Sequence, residues 1–161
     1  MNSKVALIIG AGTSLGSSIT KVFADDNFTV VPVRREGEKL KPLEEEINSK
    51  GGKCFSFSLD ARKEDEVKNF IERVELEIGE IEIAIYNIGA NIKYNLTETS
   101  SKKYFKVWEM ATFGAFLMGR EVAKNMIKRK RGTIIFTGAT ASIRGGDGFS
   151  AFAGAKNAKR A

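Results

Sequence analysis

KVALIIGAGTSLG, residues Lys4 to Gly16, decides how the rest of the chain is read. Val5 to Ile9 is an uncharged, largely branched run with no polar alternation. Both faces of such a strand have to be buried, as in a parallel sheet covered by helices on each side. Gly10, Gly12 and Gly16 follow at once. Glycines there allow a tight turn and a close backbone approach to a pyrophosphate, whose charge then sits on the free amides of the next helix. Gly10, Gly12, Thr13, Ser14, Leu15 and Gly16 are therefore candidate cofactor contacts, against the plainer reading of a structural turn.

Working outward, the pattern alternates. Leu15 to Asp25 reads as a helix with Leu15, Ile19, Val22 and Phe23 on one face. FTVVPV is a second strand, and Pro32 puts it near the strand's end or at an irregularity. A charged helix over about 39–50 closes at Gly51 and Gly52. KCFSFSLD, 53–60, is a third strand, with Cys54, Phe55, Phe57 and Leu59 as its apolar residues. A helix over about 65–78 carries Val67, Phe70, Ile71, Val74 and Ile78. IEIAIYN is the fourth strand, 102–129 a long helix, GTIIFTG the fifth strand, and a last helix begins near Ser150. The expected fold is α/β, a doubly wound parallel sheet of five strands (a Rossmann fold), as a single domain over 1–161. Repeats and linkers are not evident.

Bulk properties narrow the function classes. At 161 residues, with 42% hydrophobic and 29% charged residues, the chain suits one globular domain. No apolar run reaches the ~20 residues of a membrane span. MNSKVALIIG lacks a small-residue cleavage site, so it reads as a buried strand rather than a signal peptide. A cytoplasmic location follows as the simplest expectation, and NLT at Asn95 as a chance sequon. Cys54 is the lone cysteine and histidine is absent, which excludes an internal disulfide, leaves no Cys/His metal site, and removes the commonest general base. The net charge of +6 includes KRKRG at 128–132. Without interleaved aromatics this run reads as a solvated helix C-terminus, and no nucleic-acid partner is expected. Arg34 and Arg35 end the second strand, where an acidic residue would bind the ribose hydroxyls of NAD and an arginine the 2′-phosphate of NADP. NADP (NADPH) is expected over NAD.

These residues together resemble the short-chain dehydrogenase/reductase family along the whole chain. GAGTSLG is similar to its glycine motif, with Ser14 at the usual middle glycine. Asp60, followed by Ala61, falls where the family places an adenine-contacting aspartate. YNIG, with Asn87 and Gly89, resembles the stretch beneath the cofactor. TGATASIRGGDGFSAFAGAK resembles the segment that bears the catalytic serine, tyrosine and lysine. The resemblance implies an oxidoreductase acting on a small carbonyl or alcohol. Lys156 keeps the lysine position, where the resemblance gives it both the nicotinamide ribose and the pKa of the phenol to act on. Phe152, Ala139 and Ala111 stand where the family has its tyrosine, serine and asparagine. Thr140 is a candidate to orient a substrate oxygen. Ser142, Ser150, Tyr94 and Lys156 itself are further hydroxyls or donors, the serines being weak acids. A non-catalytic dinucleotide-binding module is the alternative. Family members normally continue through two further strands and a substrate loop, so the chain is expected to be a fragment, or to be completed by another chain or a second copy. An unpaired fifth strand is an association hazard.

Overall fold

In the computed structural model, which describes residues 4–161, the strands in chain order are β1 (Lys4–Ile9), β2 (Thr29–Arg34), β3 (Lys53–Cys54), β4 (Phe57–Ser58), β5 (Glu80–Tyr86) and β6 (Thr133–Phe136). The helices are α1 (Leu15–Asp25), α2 (Lys41–Ser49), α3 (Glu64–Arg73), α4 (Ser101–Trp108), α5 (Gly114–Arg129) and α6 (Ser150–Arg160). Met1, Asn2 and Ser3, the start of the first-strand reading, lie outside the described residues. All strand pairs are parallel, in the order β3-β2-β1-β5-β6, with β4 also on β2. No helix among the described residues is long and apolar enough to cross a membrane.

β1 sits at the centre because every residue from Val5 to Ile9 is buried. Its period of two splits the core into two layers. Val5, Leu7 and Ile9 face Val67, Phe70 and Ile71 of α3 and Leu117, Met118 and Val122 of α5. Ala6 and Ile8 face Leu43 and Ile47 of α2, with Ile19 and Phe23 of α1 partly buried beside them. Full burial of each large aliphatic side chain is worth roughly 1.5–3 kcal/mol, so these two layers hold the sheet that carries the site.

Three local expectations are corrected. The α1 boundaries are as read, but its buried residues are Gly16 and Thr20, while Leu15 and Val22 are 51% and 63% exposed. The helix approaches β1 along its smallest side: a Cβ on Gly16 would stand 2.6 Å from Ala11 Cα and from the Gly10 carbonyl oxygen. Leu15 and Val22 are turned outward by that close approach, while Ile19 and Phe23 pack beside it.

The third strand is two short segments, so the sheet has six strands rather than five. The carbonyls of Val30 and Arg34 accept from the amides of Phe55 and Leu59. Alternate residues of β2 therefore face this neighbour, and Pro32 is one of them. It has no N–H to donate, and pairing lapses opposite it, between Cys54 and Phe57. Pro32 thus interrupts its neighbour while β2 itself lies inside the sheet.

The long helix is α4 and α5 joined by a widened π turn over Glu109–Phe113. A second such turn, Val74–Ile78, ends the helix read as 65–78. At the first of them, the buried Tyr86 phenol donates to the Met110 carbonyl at 2.6 Å. Gly114 follows because any side chain there would meet that phenol.

Candidate functional site

The C-terminal ends of β1, β2 and β5 meet at a cleft of about 280 Å³. Its walls include Gly10, Gly12, Arg34, Arg35, Asp60, Ala61, Asn87 and Gly89, so eight of the predicted cofactor residues are brought together. The position follows from topology, since α1 and α2 lie on one face and α3 and α5 on the other. A crevice therefore opens beyond the strand ends where the chain reverses direction.

The glycine loop is held from below. Gly10 has a φ of +95° and its amide, like that of Ala11, donates to the Val33 carbonyl. A Cβ on Gly10 would come within 2.9 Å of the Asn87 backbone, so glycine is required there for space as well as for conformation. At Gly12, by contrast, an added Cβ meets nothing within 4 Å. The protein itself does not demand glycine at 12; the open space lies over the loop. The amides of Thr13, Ser14, Leu15 and Gly16 find no acceptor among the described residues, and α1 has neither a capping side chain nor an acidic residue in its first turn. Four donors without acceptors at the positive end of a helix are able to receive an anion.

Arg34 and Arg35 enter no ion pair among the described residues. The nearest carboxylate in sequence, Glu36, is instead held by Lys39 at 2.5 Å, and this contact keeps its carboxyl below the ordinary range. Two guanidiniums are thus left available at the cleft wall.

Asp60 is less free than the sequence suggested. Arg62, which sequence reasoning passed over, forks onto its carboxylate, Nε to Oδ1 at 2.8 Å and Nη2 to Oδ2 at 2.5 Å, and reaches Glu109 at 3.5 Å. That hydrogen-bonded pairing holds the Asp60 carboxyl below its usual value. An arginine two residues after a strand-ending aspartate was the available signal. Ala61 is buried beside them, and Glu36 and Met110 also line the cleft.

Asn87 braces the floor. Its Nδ2 donates to the Gly10 carbonyl at 3.1 Å, and its Oδ1 accepts from Thr137 Oγ1 at 2.9 Å. The ends of β1, β5 and β6 are tied through this one amide.

The expected catalytic positions separate into two groups. Lys156 is 4% exposed, donates from Nζ to the Thr137 carbonyl at 3.0 Å, and passes within 3.8 Å of the place a Gly89 Cβ would occupy. It therefore reaches the cleft rim. Its helix is fixed by Thr112 Oγ1, which donates to the Ala155 carbonyl at 2.7 Å. Phe152 is buried, with its ring centroid 5.6 Å from Lys156 Nζ, and Ala111 and half-buried Ala139 offer no functional atom. Thr140 lies exposed on a turn and does not line the cleft. Ser142 donates to the Ala139 carbonyl at 2.7 Å, and Ser150 Oγ is buried with no partner among the described residues. Tyr94 is half-buried with Lys103 over its ring at 4.3 Å. Burial pushes the Tyr86 phenol above its ordinary value, and its hydroxyl is already committed to the Met110 carbonyl.

A family model described as short chain dehydrogenase matches residues 4–161. A short-chain dehydrogenase from Rhodopseudomonas palustris is 48% identical, superposes with a TM-score of 0.94, and is covered over 74% of its chain by 99% of this one. A 3-oxoacyl-acyl-carrier-protein reductase from Thermotoga maritima is 27% identical over 97% of this chain and 63% of its own length. An actinorhodin polyketide ketoreductase structure with NADPH, 22% identical, has a TM-score of 0.91 over 97% of this chain and 60% of that one, which shows the shared fold. The chain spans between 23% and 63% of the length of the curated relatives it matches.

Proposed function

The chain belongs to the short-chain dehydrogenase family, and on that premise we propose that residues 1–161 form an NADP(H)-binding unit of an oxidoreductase acting on a small carbonyl or alcohol. The observation that carries the reading is the pair of guanidiniums, Arg34 and Arg35, in one cleft with the glycine loop, neither ion-paired among the described residues, together with the four amides at the start of α1 that find no acceptor there. The open space at Gly12 suits a pyrophosphate over the loop, and Thr13, Ser14, Leu15 and Gly16 would hold it by their amides. Arg34 and Arg35 would hold a 2′-phosphate, with NAD the weaker ligand. Asp60 and Ala61 would meet the base, Gly89 and Lys156 the nicotinamide ribose. Bound there, the nicotinamide supplies hydride exchange with a carbonyl or alcohol carbon. Lys156 remains as the residue to orient it, and Thr140 is no more than a surface hydroxyl near the expected substrate side.

Burial of Phe152, with alanines at 139 and 111, favours a second reading in which binding persists without turnover. Both readings require the nucleotide. In thermal unfolding with NADPH at ~100 times its dissociation constant, a stabilisation of about 2.7 kcal/mol is expected. For a chain of this size that is a rise of roughly 5–10 °C. Much less is expected with NADH, and Arg34→Ala combined with Arg35→Ala should erase the difference. A cooperative melt that neither nucleotide moves would reject both readings.

A further inference from the structure

Two lysines of α6 share one acceptor. Lys156 Nζ and Lys159 Nζ donate to the same Thr137 carbonyl, at 3.0 and 2.8 Å. They open on a cavity of about 380 Å³ on the β6 side, which meets the dinucleotide cleft at Lys156 and is lined also by Phe136, Gly138, Ser142 and Arg160. The groups facing Lys159 are the cations Lys156 and Arg160 of its own helix and, from β5, the ring of Tyr86 at 5.8 Å, whose phenol is engaged by Met110. The charged side chains lining this cavity are all cationic, and Ser142 spends its hydroxyl on the Ala139 carbonyl. Burial first, and Lys156 second, bring the Lys159 amine down to about 7. A desolvated amine beside a second cation is the arrangement that makes lysine a nucleophile near neutral pH.

We propose that Lys159 captures a small carboxylate-bearing aldehyde or 2-oxo acid as a Schiff base in this cavity. The neutral amine attacks the carbonyl carbon, and an N–C bond forms as the carbonyl oxygen takes up a proton. The carbinolamine then loses that oxygen as water, aided by a proton from Lys156, to leave an iminium ion. No electrons are exchanged, and nucleotide is not needed. Lys156 and Arg160 supply the charge that receives the carboxylate, and the apolar side is Phe136 and Gly138.

The test is glyoxylate with cyanoborohydride on the nucleotide-free chain, read by intact mass and peptide mapping. The expected product is one carboxymethyl adduct on Lys159, formed at neutral pH at least ~10-fold faster than on surface lysines, whose amines are almost wholly protonated there. Its rate should rise through pH about 7 and then level off. Lys159→Arg should abolish the fast adduct with an unchanged melting curve, and Arg160→Gln should raise the glyoxylate concentration for half-maximal rate without moving the pH midpoint. Adducts spread across the surface, a fast adduct on Lys156, or a rate that climbs only above pH ~9 would overturn the proposal. An unchanged glyoxylate requirement in Arg160→Gln would overturn the carboxylate assignment. If Lys159→Arg does not fold, the pH profile and mapped site in the unaltered chain decide.

Discussion

Phe152→Tyr is expected to raise NADPH-dependent reduction of small carbonyl compounds by ~10²–10⁴-fold, the usual worth of a positioned general acid. The ring at 152 already lies under Lys156, 5.6 Å from its Nζ, and Lys156 is fixed by the Thr137 carbonyl. Adding one hydroxyl therefore places a phenol beside a cation without moving either backbone. The cation favours the phenolate and lowers the phenol from its ordinary value of ~10. In the reduction direction the phenol must be protonated, so kcat should be full below its pKa and fall as pH rises through it. The unaltered chain has no phenol there and should lack that limb. Steady-state rates over a pH series read both effects. An unchanged rate alongside an intact NADPH-induced melting shift would mean that Ala139 and Ala111 have also removed what orients the substrate oxygen. Binding without turnover would then be the surviving reading.

Gly114→Ala should cost stability on a scale few single substitutions reach, roughly 3 kcal/mol or more, near the upper end for overpacking. A Cβ at 114 would lie 2.1 Å from the Tyr86 phenol oxygen and 2.8 Å from the Ala61 carbonyl oxygen. Neither obstacle is a flexible side-chain end: the phenol is fully buried and bonded to Met110, and the other is backbone. The melting temperature should drop by about 6–12 °C, at ~2–4 °C per kcal/mol for this size. Tyr86→Phe in the same background removes one obstacle and leaves the other, so it should restore only part of the loss. A Gly114→Ala chain as stable as the parent would show that the π turn can rewind, and that the Tyr86 bond to Met110 does not fix the cleft's Met110 wall.

The alternation of buried strands and helices was legible in the sequence because it rests on residue type alone, as the unbroken burial of Val5 to Ile9 shows. So was the gathering of Gly10, Arg34, Asp60 and Asn87, since a doubly wound sheet sends every strand end to one crevice. What was hidden depends on side-chain direction or on a neighbouring strand. The outward turn of Leu15 and Val22 follows from how closely Gly16 lets α1 approach. The split of the third strand follows from which side of β2 Pro32 faces. Arg62 closing on Asp60, and Lys159 meeting Lys156 at one carbonyl, are encounters of long side chains that spacing leaves open.

The break opposite Pro32 has a consequence for how copies of this chain can add to one another. A chain of molecules joined strand to strand needs two competent flanks per molecule, one to accept and one to offer. On the Pro32 side the outermost backbone is two fragments of two residues each, too short and discontinuous to template another strand. The opposite flank, β6, is continuous, with Ile135 and Phe136 each about two-fifths exposed. One proline inside the sheet thus acts as a chain terminator on its own side, where strand addition finds no continuous template.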